Sequence, residues 1–542
     1  MARGDGRPGV GTESARPAED MRQHAGGLSG GSPNSGWAVA IGAALVLGAI
    51  AVRLWGLGWG LPYVYHADEP VNLTSTLTML QERDPNPHFF NYPPFYYYVE
   101  AGGQLVYYGL GVATGNFASI DDIALPETQT LANGRLGNPK SLLAGRLVSV
   151  AFSVGTVALV YVSVLAVSGS LVGAALAGFL MAFTPLAVRR GRLLAPDPMA
   201  TFFTAAALAA SFLILRRGRT VDYVIGGVLV GLAGASKYHV ALVALAVLAA
   251  HVMRTGRGFL RDGRIYLAGG LAVATFLITS PYVLLDFPAF WDEFAWKSDF
   301  YSGGSVGGGG GSYAFYARAL GAEYGILLVL VPFAFAIRRF RREAVLAAGF
   351  AVLYVAFISF FVVRFDRHLL PVLPAVAITI GLGAAGSIIL LRSTLAGRKG
   401  FRVVVSLLAV GVVVALGIVF PLLETAEDGL RYSSDERAEV REWIHTSLPE
   451  SSTVLVDAYS PFVDPERFRV TAVAFAATGG GDPTQYEYVV VAEQGSGRFL
   501  SDPDAHPDQV AAFEKRFGSF CEIAFFPGPW WHKVLSRDCV TK

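Results

Sequence analysis

The sequence carries unusually little charge. Charged residues make up 16% of the 542 residues, whereas hydrophobic residues make up 53%, and the mean hydropathy is +0.47. This composition excludes an ordinary soluble protein and is typical of an α-helical polytopic membrane protein. The formal net charge is only +1. Because the chain lacks an overall basic character, we expect no nucleic-acid partner.

Signatures of nucleotide binding and of ion coupling are also missing. The glycine run SGGSVGGGGGS at 302–312 lacks the Gly-Lys-Ser/Thr ending of a nucleotide-binding loop, so we interpret it as a mobile external loop and a candidate gate. Charges are scarce in the middle of the apolar segments, where ion-coupled transporters usually keep them. This scarcity favours an active site at a membrane face over a transport path.

Apolar segments recur from residue 37 to residue 422, and arginine-rich clusters separate them. The segments are 37–58, 93–113, 142–167, 169–187, 197–215, 221–236, 238–253, 264–285, 319–337, 344–363, 369–391 and 402–422. Cationic clusters follow the segments that end at 215, 253, 337 and 391, the last comprising Arg392, Arg398, Lys399 and Arg402. Such clusters favour the cytoplasmic side. Residues 1–36, rich in Gly, Pro, Ser and charge, are predicted to be a disordered cytoplasmic tail.

The number of segments fixes the predicted topology. Five segments precede the first internal cluster, but an even number of crossings must separate it from the tail. The weakest segment is 93–113, which starts with Pro-Pro, carries Glu100 and Gln104 and is rich in tyrosine, so we predict a helix lying at the outer surface. About eleven crossings remain within a membrane domain of residues 37–423. Residues 59–141 then form the first external loop, and the chain from 424 is external as well.

The C-terminal residues 424–542 are polar and alternate helical with strand-like patterns, which predicts a small extracytoplasmic α/β domain. Cys521 and Cys539 are the only two cysteines in the chain. In an oxidising compartment they form either a disulfide or two free thiols. Trp530 and Trp531 either stack on a sugar or anchor the domain at the membrane interface, and we favour the second role.

Acidic residues in two predicted external loops are the candidate catalytic groups. Asp68 and Glu69 come shortly after the first span, where a carboxylate can act as general base on an acceptor hydroxyl. Pro70 follows directly, so Asp68 as a helix N-cap is an alternative that is compatible with catalysis. Asp197 starts a later span and is expected to cap that helix, orient the acceptor or help to bind a metal.

Cations on the predicted outer side run against the positive-inside trend. They are Arg189, Arg190, Arg192, Lys237, Arg364, Arg367 and His368. One anionic ligand at the outer face, such as a lipid-linked phosphate, accounts for the whole set because Arg and Lys both suit phosphate oxygens. For any single cation, ordinary phospholipid headgroups or snorkelling from a span end are an equal alternative.

The order of motifs resembles the GT-C fold membrane glycosyltransferases, in particular the family 39, ArnT and protein-mannosyltransferase-like group that uses polyprenyl-phosphate sugars. The resemblance covers roughly residues 37–422 and rests on HADEP, FNYPPFYYY, RRGRLLAPDPMATFF, GLAGASKYHVALVAL, TSPYVLLDF and RFDRHLLPVLPAV. It implies a GT-C fold with jaw helices in the first external loop. It also implies that Asp68, with Glu69 beside it, supplies the catalytic carboxylate and that Asp197 is the second acidic residue.

The resemblance extends to the binding residues. It implies that Lys237, Tyr238, Arg364 and His368 hold the donor phosphate. The full predicted phosphate set adds the outer arginines and comprises Arg189, Arg192, Lys237, Tyr238, Arg364, Arg367 and His368. Contacts to the acceptor or sugar are predicted for His66, Asn91 and Tyr92.

The predicted function is inverting transfer of a sugar from a polyprenyl-phosphate donor to a lipid, glycan or protein acceptor, with Asp68 as general base. A flippase for lipid-linked sugars and a non-catalytic lipid-binding envelope protein are the alternatives. The abundance of arginine over lysine favours a bacterial source, and hence the plasma membrane. No cofactor is required by this reading, although a divalent metal at Asp68 and Asp197 is left open. The expected partners are the lipid-linked sugar, membrane lipids and an unspecified acceptor.

Overall fold

A computed structural model describes residues 35–130, 133–303, 312–395, 401–432, 435–504, 506–528 and 530–539. Three features of the sequence fall largely outside these ranges. They are the predicted tail, most of the glycine run at 302–312, and the cations Arg398 and Lys399.

Most of the described chain is helical. The helices up to residue 431 are α1 (Ser35–Leu54), α2 (Asp68–Glu82), α3 (Pro94–Ala113), α4 (Pro139–Ser168), α5 (Leu171–Phe183), α6 (Pro185–Gly191), α7 (Asp197–Arg216), α8 (Thr220–Ser236), α9 (Ala244–Thr255), α10 (Arg264–Thr279), α11 (Tyr282–Leu285), α12 (Phe287–Gly303), α13 (Ser312–Tyr324), α14 (Val331–Ala336), α15 (Arg341–Ile358), α16 (Leu373–Leu395) and α17 (Phe401–Arg431). Short 3₁₀ segments, among them Tyr238–Val243 and Asp366–Val372, connect some of them. Every apolar segment of the sequence coincides with one or more of these helices.

Within the described residues, six helical stretches are long and apolar enough to cross a membrane, or seven if the bent pair α5 and α6 counts as one span. The two helices of that pair meet at 51°, and the shorter apolar helices α8 and α10 add to the bundle. The predicted number of eleven crossings therefore stays a prediction. A single large core lies where α4, α7, α8 and α16 pack together.

The segment after α1 forms a compact loop on the bundle. Its helices are α2 and α3, of which α3 is the segment predicted to lie at the membrane surface. Strands β1 (Tyr63–Val64), β2 (Glu127–Thr130) and β3 (Asn133–Arg135) form a small antiparallel sheet in the order β1-β3-β2. We call residues 55–138 the first loop.

The C-terminal residues form an α/β domain, as the patterning predicts, although α17 passes the predicted boundary at 424 and ends at Arg431. Its helices are α18 (Glu436–Ser447), α19 (Arg498–Ser501) and α20 (Pro507–Phe517). Its strands are β4 (Thr453–Val456), β5 (Arg469–Ala472), β6 (Tyr488–Ala492), β7 (Cys521–Phe526) and β8 (His532–Ser536), in the order β5-β4-β6-β8-β7. The first three pair in parallel and the last two antiparallel. A disulfide joins Cys521 to Cys539.

A labelling experiment tests the predicted orientation of the first loop. Asn116 lies exposed just after α3, so a cysteine placed there by Asn116→Cys should react with a membrane-impermeant maleimide on intact cells. Background is expected to be low because the native cysteines are paired. The matched control Arg338→Cys, exposed in a predicted cytoplasmic cluster, should react only after permeabilisation. The opposite pattern would contradict the topology.

Candidate functional site

Asp68 and Asp197 occupy the same position in two different helices. Asp68 is the first residue of α2 and Asp197 the first residue of α7, and the capping residues before them, Ala67 and Pro196, make no side-chain cap. The alternative of Asp68 as N-cap is therefore not what the structure shows. A carboxylate in the first helical turn is stabilised by the helix dipole and can still point away from the helix.

Asp68 is held by groups from three parts of the chain. Its Oδ2 atom accepts a hydrogen bond from the Arg367 guanidinium and lies 3.5 Å from the Tyr92 hydroxyl. Its backbone N–H donates to His66 Nδ1 at 3.3 Å. Burial alone raises the pKa of the Asp68 carboxyl, but Arg367, followed by His66 and Lys297, together outweigh it and bring the pKa below its ordinary value. Asp68 is thus an ionised carboxylate.

Glu69, predicted as a catalytic partner, is enclosed by partners within the protein. It is fully buried, and its two oxygens accept hydrogen bonds of 2.8 and 2.7 Å from Arg146. Oε1 also accepts from the backbone N–H of Leu194 at 3.0 Å. Because both oxygens are used inside the protein, Glu69 is placed to position its neighbour Asp68 and not to meet a substrate.

Asp197 forms a buried ion pair with Lys237, whose Nζ lies 2.7 Å from Oδ1. Lys237 follows the last residue of α8 in an extended conformation, with φ −160° and ψ 120°. This break turns the side chain towards Asp197 and leaves the lysine in the wall of a cavity. The sequence pattern anticipates both residues but not their pairing.

The cavity has a volume of about 300 Å³ and two kinds of wall. Its polar lining comprises Asn91, Lys237, Tyr238, His239, Lys297, Ser298, Tyr301 and His368, and its apolar lining comprises Phe294, Phe357, Ile358 and Phe361. Lys237, Lys297 and Arg367 each interact electrostatically with both Asp68 and Asp197. The cationic and acidic groups therefore lie close together, next to the apolar wall of the cavity.

Lys297, which the sequence analysis did not single out, lies at the centre of this arrangement. It donates a hydrogen bond to the backbone oxygen of Asn91, and its ammonium lies 4.5 Å from the ring centroid of Tyr92. Burial, and after it repulsion by Lys237 and Arg367, lower the pKa of Lys297 to about 7. A signal did exist, because only seven lysines occur in the chain and two of them line this cavity.

Helix α12 brings Lys297 to the site and is fastened to the first loop. Asp286, just before α12, accepts a 2.7 Å hydrogen bond from the Asn86 side chain. Glu293 accepts one of 2.7 Å from the backbone N–H of Phe90. The segment between α2 and α3 thus supplies the partners for this helix.

Several other predicted binding residues also lie in or beside the cavity. His368 lines it and has its Nδ1 atom 3.1 Å from the Tyr316 hydroxyl. Tyr238 lines it too, with its hydroxyl donating to the carbonyl of Phe90 at 3.1 Å. His66 lies behind Asp68, with Nε2 3.3 Å from Arg190. Burial lowers the pKa of His66, so it serves as a neutral hydrogen-bond acceptor.

Three predicted phosphate ligands are placed elsewhere. Arg189 pairs with Asp428 at 2.8 Å, which fastens α6 to α17. Arg192 is buried, donates to the carbonyl of Trp55 at 2.6 Å and stacks on Tyr432 at 3.8 Å. Arg364 lies 5.7 Å from the ring centroid of Phe315. Carboxylates, a backbone carbonyl and aromatic rings within the protein thus engage these three cations.

The metal alternative finds little support in the arrangement of these side chains. Asp68 and Asp197 each pair with a cationic side chain. Over the described ranges, no group of three or more His, Cys, Asp or Glu side chains is arranged to hold a metal ion. The two carboxylates fit a cationic and hydroxylic environment better than a metal.

Comparison with known proteins relates part of the chain to a known family. A family model described as dolichyl-phosphate-mannose-protein mannosyltransferase matches residues 136–283, a range that includes Asp197 and Lys237. Curated protein sequences give no match.

Solved structures similar to the whole chain also exist. ArnT from Cupriavidus metallidurans bound to undecaprenyl phosphate aligns with a TM-score of 0.53 and 14% identity, over 93% of this chain and 98% of that one. The oligosaccharyltransferase AglB from Archaeoglobus fulgidus, in complex with an inhibitory peptide and a dolichol-phosphate, aligns with a TM-score of 0.50 and 12% identity, over 91% and 73%. The chain thus has the GT-C fold and is similar to membrane glycosyltransferases of the ArnT and protein-mannosyltransferase type.

Proposed function

We propose that this protein transfers a sugar from a polyprenyl-phosphate donor to an acceptor at the extracytoplasmic membrane face, with inversion at the anomeric carbon. The observation that carries the proposal is that Asp68 interacts with Arg367 and with Lys237 and Lys297, the two lysines in the wall of a cavity that also has an apolar side. A lipid phosphate needs cations for its headgroup and an apolar wall for its chain. The site offers both together with a carboxylate.

The donor would bind with its phosphate between Lys237 and Lys297, near His368. Its first prenyl units would lie against Phe294, Phe357 and Phe361, which form the apolar wall. The ArnT and AglB structures contain undecaprenyl phosphate and dolichol-phosphate, respectively, which supports a polyprenyl phosphate as the ligand class. The sugar would then extend towards Asp68 and Tyr92.

In the proposed reaction the acceptor hydroxyl attacks the anomeric carbon from the side opposite the phosphate. The new glycosidic bond forms as the bond from that carbon to the phosphate oxygen breaks, and the phosphate leaves with the electron pair. The acceptor proton passes to Asp68. Lys237 and Lys297 stabilise the negative charge that develops on the departing phosphate.

The contacts of Asp68 suit the role of base. Among the described residues, its side-chain contacts with Arg367 and Tyr92 both fall on Oδ2, which leaves Oδ1 for the acceptor. Arg367 keeps the carboxylate ionised and oriented while the site is empty of donor. A bound phosphate would share Arg367 and so raise the basicity of Asp68 at the moment when it must take a proton.

Replacement of the base tests the proposal directly. Asp68→Asn should lower sugar transfer by about 10²–10⁴-fold because the amide cannot accept the proton, while donor lipid still binds at the lysines. The measurement is transfer of label from a polyprenyl-phosphate sugar, paired with a lipid-binding titration. Glu82→Gln, an exposed change at the end of the same helix, should leave both unchanged. Normal transfer by Asp68→Asn would refute Asp68 as the base. Absence of transfer by the wild type, with donor-lipid binding retained, would instead favour a flippase or a binding protein.

Removal of the ion pair between Asp68 and Arg367 should shift the acid limb of the pH–rate profile. In Arg367→Gln, burial still raises the pKa of Asp68 but the main opposing charge is gone, although Lys297 remains nearby. Protonation should therefore inactivate the base at higher pH, moving the acid limb up by about one pH unit or more. Arg431→Gln, which removes an exposed ion pair with Glu427, should not move it. An unshifted limb in Arg367→Gln would show that Asp68 is not the titrating base.

The lowered pKa of Lys297 leads us to predict how the affinity for the donor lipid changes with pH. With a pKa of about 7 in the free protein, it loses its charge as the pH rises, so binding of a phosphate must take up a proton. The affinity of the wild type for undecaprenyl phosphate, relative to that of Lys297→Arg, should fall by up to about tenfold for each pH unit above 7. The arginine variant controls for titration of the phosphate itself. Parallel curves from pH about 6 to 9 would exclude Lys297 from the phosphate site.

A further inference from the structure

The C-terminal domain grips the first loop through one arginine. The guanidinium carbon of Arg437, in α18, lies 4.0 Å from the ring centroid of Tyr65 and 5.4 Å from those of Trp59 and Trp530. We call these four residues, with Asp435, the loop clasp. The role favoured for Trp530 from the sequence, anchoring at the membrane interface, stays a prediction, and its partly buried ring makes this contact within the protein.

Hydrogen bonds add a defined geometry to the ring contacts of the loop clasp. Arg437 donates to the backbone carbonyl of Tyr65 at 3.0 Å and to both oxygens of Asp435 at 2.9 and 2.7 Å. Asp435 in turn accepts from the Trp59 indole N–H at 2.9 Å. Arg437 and Asp435 are buried, so their mutual pairing and these bonds to the loop satisfy charges that water cannot reach.

The carbonyl that Arg437 contacts belongs to Tyr65, three residues before the proposed base Asp68. Between Tyr65 and Asp68 the chain carries His66, whose Nδ1 atom accepts the hydrogen bond from the Asp68 N–H. A shift of the Tyr65 backbone would thus be passed to the start of α2. Arg146 holds the neighbouring Glu69 from the membrane bundle, so the first turn of α2 is fixed from two sides.

A second contact fastens the other strands of the first loop to the same domain. Gln129 donates to the carbonyl of Val463 at 2.6 Å, and Asn133 donates to that of Pro461 at 3.1 Å. Strand β3, which contains Asn133, pairs with β1 just before Tyr65. The C-terminal domain therefore contacts the small sheet at both of its edges, beside β1 and at β2, and α2 follows β1 in the chain.

The contacts of Pro461 and Val463 come from the edge of the sheet at which α/β domains usually bind ligands. Residues 457–463 follow the carboxyl end of the parallel strand β4, and in open α/β sheets that edge is where ligands commonly bind. Here the chain leaving β4 contacts the first loop. The domain offers this edge to another part of the same protein.

We propose that Arg437 is a positioning residue for the transfer reaction and that the C-terminal domain sets the place of Asp68 through the loop clasp. The catalytic consequence rests on the proposed function, whereas the mechanical coupling does not. Arg437 touches neither the cavity nor the carboxylate of Asp68 in the described contacts, so its effect must travel through the backbone of residues 65–68.

The test compares full-length Arg437→Ala, Arg437→Lys and the control Arg467→Ala, whose exposed ion pair with Glu450 lies in the same domain. Sugar transfer, donor-lipid binding and amide hydrogen exchange are measured on each. Arg437→Ala should lower kcat by roughly a hundredfold, as expected for a displaced base, while affinity for the donor lipid stays within about twofold because Lys237 and Lys297 are untouched. Arg437→Lys should recover part of kcat, and Arg467→Ala should match the wild type.

Hydrogen exchange separates positioning from folding. Amides of residues 59–68 should exchange about tenfold faster in Arg437→Ala, with the strands β4 and β6 unchanged. Faster exchange throughout the C-terminal domain would mean that Arg437 serves its folding, and unchanged exchange with normal kcat would mean that the loop clasp does nothing; either result overturns the proposal. If the wild type shows no transfer, the proposed function fails, and the exchange of residues 59–68 still decides the coupling.

Discussion

The geometry of the site depends on the buried ion pair between Glu69 and Arg146. Glu69 also accepts from the backbone of Leu194, and Arg146 donates to the carbonyls of Leu57 and Trp59. One pair thus ties α4 to the segment before Asp68 and to the segment before Asp197. Burying two charges is costly, but removing either partner costs about 3–5 kcal/mol because the other charge is left unpaired. We infer that the pair is kept because it sets the relative position of two carboxylates that lie far apart in sequence.

The balance of charges among the side chains around Asp68 and Asp197 fits the proposed chemistry. Lys237, Lys297 and Arg367 interact with Asp68 and Asp197, which leaves one positive charge in excess when Lys297 is protonated. A sugar linked through a phosphodiester brings one negative charge. When the bond breaks, the phosphate gains a second negative charge while Asp68 becomes neutral by taking the proton. The total charge of the site would then stay the same through the reaction, so no charge has to move in from solvent.

Local and long-range features differ in how far the sequence predicts them. Hydrophobic runs and arginine clusters predict the helices well, since length and composition decide membrane insertion, and the quoted motifs pick out Asp68, Asp197 and Lys237. The sequence does not reveal the partners of Glu69 and Arg192, since Arg146 and Tyr432 approach them only in the folded chain. No motif of the sequence singles out Lys297, which lies among aromatic residues on α12.

The two halves of the proposed donor site differ in how firmly they are held. Lys237 is buried within the bundle and paired with Asp197. Lys297 is partly buried and belongs to α12, which has no fully buried residue and whose outer side exposes Trp291 and Trp296. Such an aromatic face suits the membrane interface. In the proposed site the phosphate would therefore bridge a fixed cation and one on a less buried helix. The proposed base, in contrast, is fixed by the bundle on one side and the C-terminal domain on the other, so adaptation to a lipid donor would occur at α12 without displacing Asp68.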